Sequence, residues 1–332
     1  MELDSFVDKL FEAFSCKSSH ENVIFSPYCI TTALTMVLCG SKGQTRDQIT
    51  EAFGIGADLK KVAKLFEKFQ MLTSRRNEVE VETFNSLFPA RNYPVKSKYI
   101  KILESLGCQV KKLSYKTEAD RKESAKTIND LVACSTRNKI HNIVQPASLD
   151  ELTRIILASV VYFKAEWAKK FQQVSTSLGV FYNSDNSESK VAMMSEAERF
   201  KYGYDKNLDI SCLELPYKGY EYSMWFFLPN KRFGLSSDLT VEKMKTMMEN
   251  SKAKNYVHVK IPKFKFEYET HLKDSFMKLG MTNMFSSDRA ELTSISDEPE
   301  FHIKEIFHKS IIEVNEEGTE ATAVTCKLIS LY

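Results

Sequence analysis

Glycine and proline are scarce, eleven and eight in 332 residues, which leaves little material for long irregular loops. Neither sign of charge is in excess: 46 Lys and Arg face 44 Asp and Glu, a net charge of +2. Coating nucleic acid or an acidic surface needs many uncompensated cations, so the balance argues against a chain built mainly for such partners, and neither a nucleic acid nor a membrane is expected. No apolar run is long enough to span a membrane; the longest, Ile155 to Phe163, is broken by Ser159. The seven cysteines (positions 16, 29, 39, 108, 134, 212 and 326) are odd in number and never at C-x-x-C spacing. That argues against a metal knuckle or a dense disulfide framework. The chain opens Met1-Glu2-Leu3-Asp4 without a basic, apolar leader, and it carries no Asn-x-Ser/Thr sequon. A cytoplasmic location is expected, with secretion lacking a conventional signal peptide as the alternative.

Motifs of catalysis are missing too. There is no G-x-S-x-G, no Walker loop, no H-E-x-x-H and no complete G-x-G-x-x-G, since Gly54-x-Gly56 stops short. None of the six histidines stands at ligand spacing from a cysteine or another histidine. No enzymatic activity, metal or cofactor is expected.

What is present is a regular, mixed pattern. Leu3, Phe6, Val7, Leu10, Phe11 and Phe14 recur at helical spacing. Phe25-Ser26-Pro27 opens a second helix, with Ser26 as N-cap and Pro27 in the first turn, running to Gly40. Helices are predicted at 58–73, 94–106, 118–135, 238–250 and 271–279. Ile155 to Phe163 reads as a strand buried on both faces. Leu213 to Tyr217 and Met224 to Leu228 form a hairpin around Lys218-Gly219-Tyr220, and Tyr256 to Tyr268 alternates, with Pro262 marking a bend. No repeat or linker divides the chain, so 1–332 reads as one α+β domain.

The last thirty residues are unusual. After a strand from His308 to Val314 comes Asn315-Glu316-Glu317-Gly318 and then a run of small, β-compatible residues. Thr319, Ala321, Ala323 and Thr325 form one alternating set that would slide into a packed interior at little steric cost; Glu320, Thr322, Val324 and Cys326 would face outward. By composition alone the segment also reads as a variable C-terminal tail.

Seven segments, in order, resemble the serpin family along the whole chain, in its intracellular, ovalbumin-type form. They are Asn22 to Pro27, Leu38 to Thr45, Ser159 to Trp167 with Phe171 beyond, Val191 to Met194 with Glu214 to Tyr217, Ile261 to Phe264, and Glu316 to Ala321. The resemblance implies three β-sheets, eight or nine helices and a reactive-centre loop that baits proteases. Once cut, the loop inserts as a sixth strand of the main sheet and drags the covalently attached protease with it. A dozen residues gaining central-strand hydrogen bonds and burial would supply on the order of ten to twenty kcal/mol, enough for mechanical work. The implied hinge is Glu316, Glu317, Gly318, Thr319, Glu320, Ala321, Ala323 and Thr325. With the hinge Glu316 as the family's seventeenth residue before the scissile bond, the residue immediately before the bond is Tyr332, with Leu331 adjacent. The family's 35 to 40 residues after the bond are absent. The resemblance thus implies either the larger fragment of a cleaved monomer, with the C-terminal fragment as its partner, or a chain that happens to stop there.

The resemblance also assigns a shutter under the main sheet to Ser26, Cys29, Ser159 and His308, and a breach at its top to Trp167 and Lys263. Cys29 and Ser159 stand where the family usually has Ser and Asn, which offer more hydrogen bonds. Lys327 continues the inward set, where a charge is costly unless its long stem lets it reach water. Tyr332 suits the deep apolar pocket of a chymotrypsin-like target, Leu331 a papain-like cysteine protease. A non-inhibitory chaperone or binding protein is the rival, disfavoured by the small hinge residues. Lys60, Lys64 and Lys68 form a basic stripe on the predicted helix 58–73, readable as a polyanion site or as a solvated face screened by Glu67, Glu78 and Glu80.

Overall fold

The computed structural model describes residues 4–15, 22–54, 78–183, 185–231, 239–253, 256–299 and 301–330. The predicted helix 58–73, with Lys60, Lys64 and Lys68, lies outside them, as do Leu331 and Tyr332.

Ser26 starts the second helix as its sequence predicts: its side chain accepts from the Cys29 N–H, and Pro27 takes the first helical position, where its missing N–H costs nothing. This helix, α2 (Pro27–Gly40), is apolar or threonine-rich all round and buried almost throughout, because it runs beneath the main sheet. α1 (Asp4–Ser15) packs Phe6 edge-on against Phe53 of α3 (Gly43–Phe53), a helix absent from the sequence-based prediction. Its first turn is capped from outside: the Glu291 carboxylate accepts from Gln44 N–H at 2.6 Å, and a Cβ on Gly43 would strike that carboxylate. α4 (Ser97–Ser105) and α5 (Glu118–Ser135) follow, the latter opened by a reciprocal capping box between Thr117 and Asp120. α6 (Val241–Asn250) and α7 (Lys273–Lys278) complete seven α-helices among the described residues, against the eight or nine implied.

Among the described residues, twelve strands form three sheets. The main sheet joins β1 (Val79–Pro89), β2 (Gln109–Val110), β3 (Thr153–Glu166), β10 (Phe264–His271), β11 (His302–Val314) and β12 (Gly318–Ser330), in the order β10-β11-β12-β3-β1-β2. A second sheet holds β4 (Ser177–Tyr182), β5 (Glu188–Glu198) and β9 (Val257–Pro262); a third holds β6 (Tyr202–Asp205), β7 (Ile210–Pro216) and β8 (Ser223–Pro229). The alternating run at 256–268 is therefore two strands in different sheets, parted just after Pro262.

β3 is the spine. Ile155 and Leu157 point toward α2, while Ile156, Ala158 and Val160 point toward α5, so both faces are dry. That is why its sequence is continuously apolar instead of alternating.

Candidate functional site

β12 lies between β11 and β3 and is antiparallel to both, with Thr325 opposite His308 on one side and Ser159 on the other. The segment expected to insert is a central strand. Thr319, Ala323 and Thr325 are buried and Ala321 is half-buried, as their small size predicts. The other set departs from expectation: Thr322 and Cys326 are buried as well, and Glu320 is half-buried. The reason is α5, whose Ile128 and Val132 cover this face of the sheet in the cluster that holds Cys326.

At the head of β12 the chain turns on Asn315. Its Oδ1 accepts from the N–H groups of Glu317 (2.9 Å) and Gly318 (3.3 Å). Trp167 clamps the turn, donating its backbone N–H to Glu317 O and its indole N–H to Asn315 O, both at 2.9 Å, while stacking on Tyr217. Glu316 is 5% exposed, salt-bridged to Lys263 at 2.8 Å and accepting from the Thr176 hydroxyl at 2.9 Å. Burial alone would raise its pKa, but the hydrogen bonds from Lys263, a backbone N–H and Thr176 bring it below the ordinary value. Glu317 is exposed and pairs with Lys170.

Lower down, α2 meets β11 and β12. Ser26 N–H donates to His308 Nε2 at 3.1 Å, which makes that nitrogen an acceptor and leaves Nδ1 to donate to Thr325 Oγ1 at 2.8 Å. Ser310 Oγ donates to the same Nε2 at 2.9 Å. Burial pushes the Cys29 thiol up to about 12, so it stays protonated and donates to the Ala323 carbonyl at 3.3 Å. Ser26, Cys29, Ser159 and His308 are thus brought together around β12. Lys327 stands in register with Ile306 and Leu157.

Lys170, Thr176 and Ser310 take part without having been singled out in the sequence. Ser310 had a signal, since it sits two residues from His308 on the same strand face. The others reach the site from distant segments and carry no local pattern.

Across the second and third sheets runs a groove of about 1000 Å³, lined by Leu213, Phe226, Phe227, Val257, Val259 and Phe264 among others. Among the described residues no three His, Cys, Asp or Glu side chains are placed to hold a metal ion, and no helix is long and apolar enough to cross a membrane.

Residues 1–331 match the family model for serpins, described as serine protease inhibitors. The chain is 32% identical to a leukocyte elastase inhibitor A from Mus musculus and 31% identical to a leukocyte elastase inhibitor from Xenopus laevis, each alignment spanning 96% of this chain and 86% of the relative. Among solved structures, a cleaved serpin of 42 Da designation superposes with a TM-score of 0.91 at 29% identity, covering 99% of this chain and 89% of the other.

Proposed function

The chain belongs to the serpin family, and from that premise we propose that it is a suicide-substrate inhibitor of chymotrypsin-like serine proteases, trapping its target by loop insertion. The observation that carries this is β12 itself: thirteen residues, Gly318 to Ser330, seated between β11 and β3. At about 1 kcal/mol net per new hydrogen bond, seating such a strand supplies on the order of ten kcal/mol, against an ordinary domain stability of similar size. Relatives named for leukocyte elastase support the serine-protease class.

In this reading Glu316 to Ala321 is the hinge, Trp167 and Lys263 hold the breach, and Ser26, Cys29, Ser159 and His308 form the shutter. Tyr332 presents a large aromatic to the apolar primary pocket of the target, with Leu331 beside it. The groove of the second and third sheets supports a partner segment of the same polypeptide, the fragment that follows the cleaved bond. The unbridged thiols of Cys29, Cys39, Cys108, Cys134 and Cys212 support a reducing compartment.

Titration of chymotrypsin tests the reading. The expected result is a band on a denaturing gel at the summed mass of protease and inhibitor, with activity lost in proportion. A cut loop with fully active protease contradicts it, as a non-inhibitory binding protein would give. A complex with a papain-like cysteine protease but not chymotrypsin would move the target to that class.

A further inference from the structure

A row of charged side chains crosses five strands of the main sheet at one level. Lys265 on β10 stands opposite Glu313 on β11, Glu313 opposite Glu320 on β12, Glu320 opposite Lys164 on β3, and Lys164 opposite Glu80 on β1. The signs run plus, minus, minus, plus, minus. Within this row the like-charged neighbours are Glu313 and Glu320, and like charges directly opposite each other in an antiparallel pair destabilise it. That unfavourable pair exists only while β12 lies beside β11.

The connection between α5 and β3 lies over the same row. Lys139 Nζ sits 2.7 Å from Glu320 Oε2, and the Tyr162 hydroxyl donates to Glu320 Oε1 at 2.7 Å. Arg137 reaches Glu80 and Glu82 at 3.0 Å each and lies 5.6 Å over the Tyr162 ring. Lys265 meets Glu313 at 3.1 Å. The Glu320 side chain is only 19% exposed, so losing its cation would leave a partly desolvated carboxylate unpaired, which costs more than breaking a surface ion pair. The backbone of the connection is committed to this posture: Arg137 and Asn138 take left-handed φ values of 48° and 59°, and Asn138 N–H is bonded to Ala133 O at 2.7 Å.

Resting on the loop-insertion reading above, we infer that Lys139 is a positioning residue for insertion. It neutralises Glu320 as that residue arrives beside Glu313, with the Tyr162 hydroxyl as a second donor, and it thereby latches the α5–β3 connection over the new strand. Glu320 lies two residues past Gly318, within the hinge, so the latch forms early and acts on the race between insertion and release of the protease.

The test is a double-mutant cycle on the stoichiometry of chymotrypsin inhibition, paired with amide hydrogen exchange. Lys139→Ala leaves two carboxylates facing each other, and about fivefold more loop should be cut per protease trapped. Glu320→Gln removes both the like-charge pair and the need for the cation, so it should lie nearer wild type, and adding Lys139→Ala to it should change nothing further. An equal effect of Lys139→Ala in both backgrounds, or none in either, overturns the latch. In chymotrypsin-treated protein, amides 137–142 should exchange faster in Lys139→Ala than in wild type; unchanged exchange also overturns it. A wild-type protein that forms no complex would instead sink the inhibitory reading, while the exchange comparison still reports on the latch.

Discussion

Gly318 lies so close to Ala165 that a Cβ on it would stand 2.0 Å from the Ala165 carbonyl oxygen. The contact is backbone to backbone, so no side-chain movement relieves it. Only glycine lets the first residue of β12 enter the ladder beside β3.

Gly318→Ala should therefore hinder the first step of insertion without touching the bait. The expected outcome is a protein that chymotrypsin cuts and leaves, with the fraction of protease trapped falling at least tenfold. Wild-type trapping would mean the head of the strand does not enter as β12 does here.

Thr319→Arg acts one residue later. Thr319 is buried, with its hydroxyl 3.8 Å from Met224 Sδ. An unpaired guanidinium at that depth costs several kcal/mol, so the variant should behave as a substrate instead of an inhibitor. A stoichiometry measurement with chymotrypsin decides it.

The thiol of Cys29 contributes through one hydrogen bond to Ala323 O and through filling its site. Cys29→Ala should lower the stability of the loop-inserted form by about 1–2 kcal/mol in denaturant unfolding. No change would remove Cys29 from the set of residues that hold β12.

Acid should weaken the inserted state. Burial would raise the pKa of Glu316 and of Glu320, but their bonds to Lys263 and Lys139 bring both below the ordinary value of 4.5. A carboxylate with a depressed folded pKa contributes stability that is present above its unfolded pKa and is lost as pH falls through the folded value. Unfolding midpoints of the loop-inserted protein should hold steady near neutrality and decline below about pH 5, and Glu316→Gln should flatten part of that decline.

Much of this architecture is legible in the chain, and the reasons are local. Ser26-Pro27 and Thr117-x-x-Asp120 satisfy their own helix starts, so α2 and α5 begin where their caps predict. β3 is legible because both its faces are dry. α3 is not: its N-terminus is capped by Glu291, some 250 residues away, and Lys42-Gly43 reads as a turn without it. The small residues of β12 announce a strand made to pack, but their alternation suggests one buried face. The second is covered by α5, and nothing in 319–326 records what lies above it. Lys139 and Tyr162 stay hidden for the same reason, since each is ordinary in its own segment and meets Glu320 only across the sheet.

Amide hydrogen exchange over residues 319–330, read before and after treatment with chymotrypsin, tests insertion most directly. The expected result is fast exchange in the uncut protein and, after cutting, protection rising to match that of β3. Protection that is unchanged by cutting, in either direction, would contradict a trap powered by seating this strand.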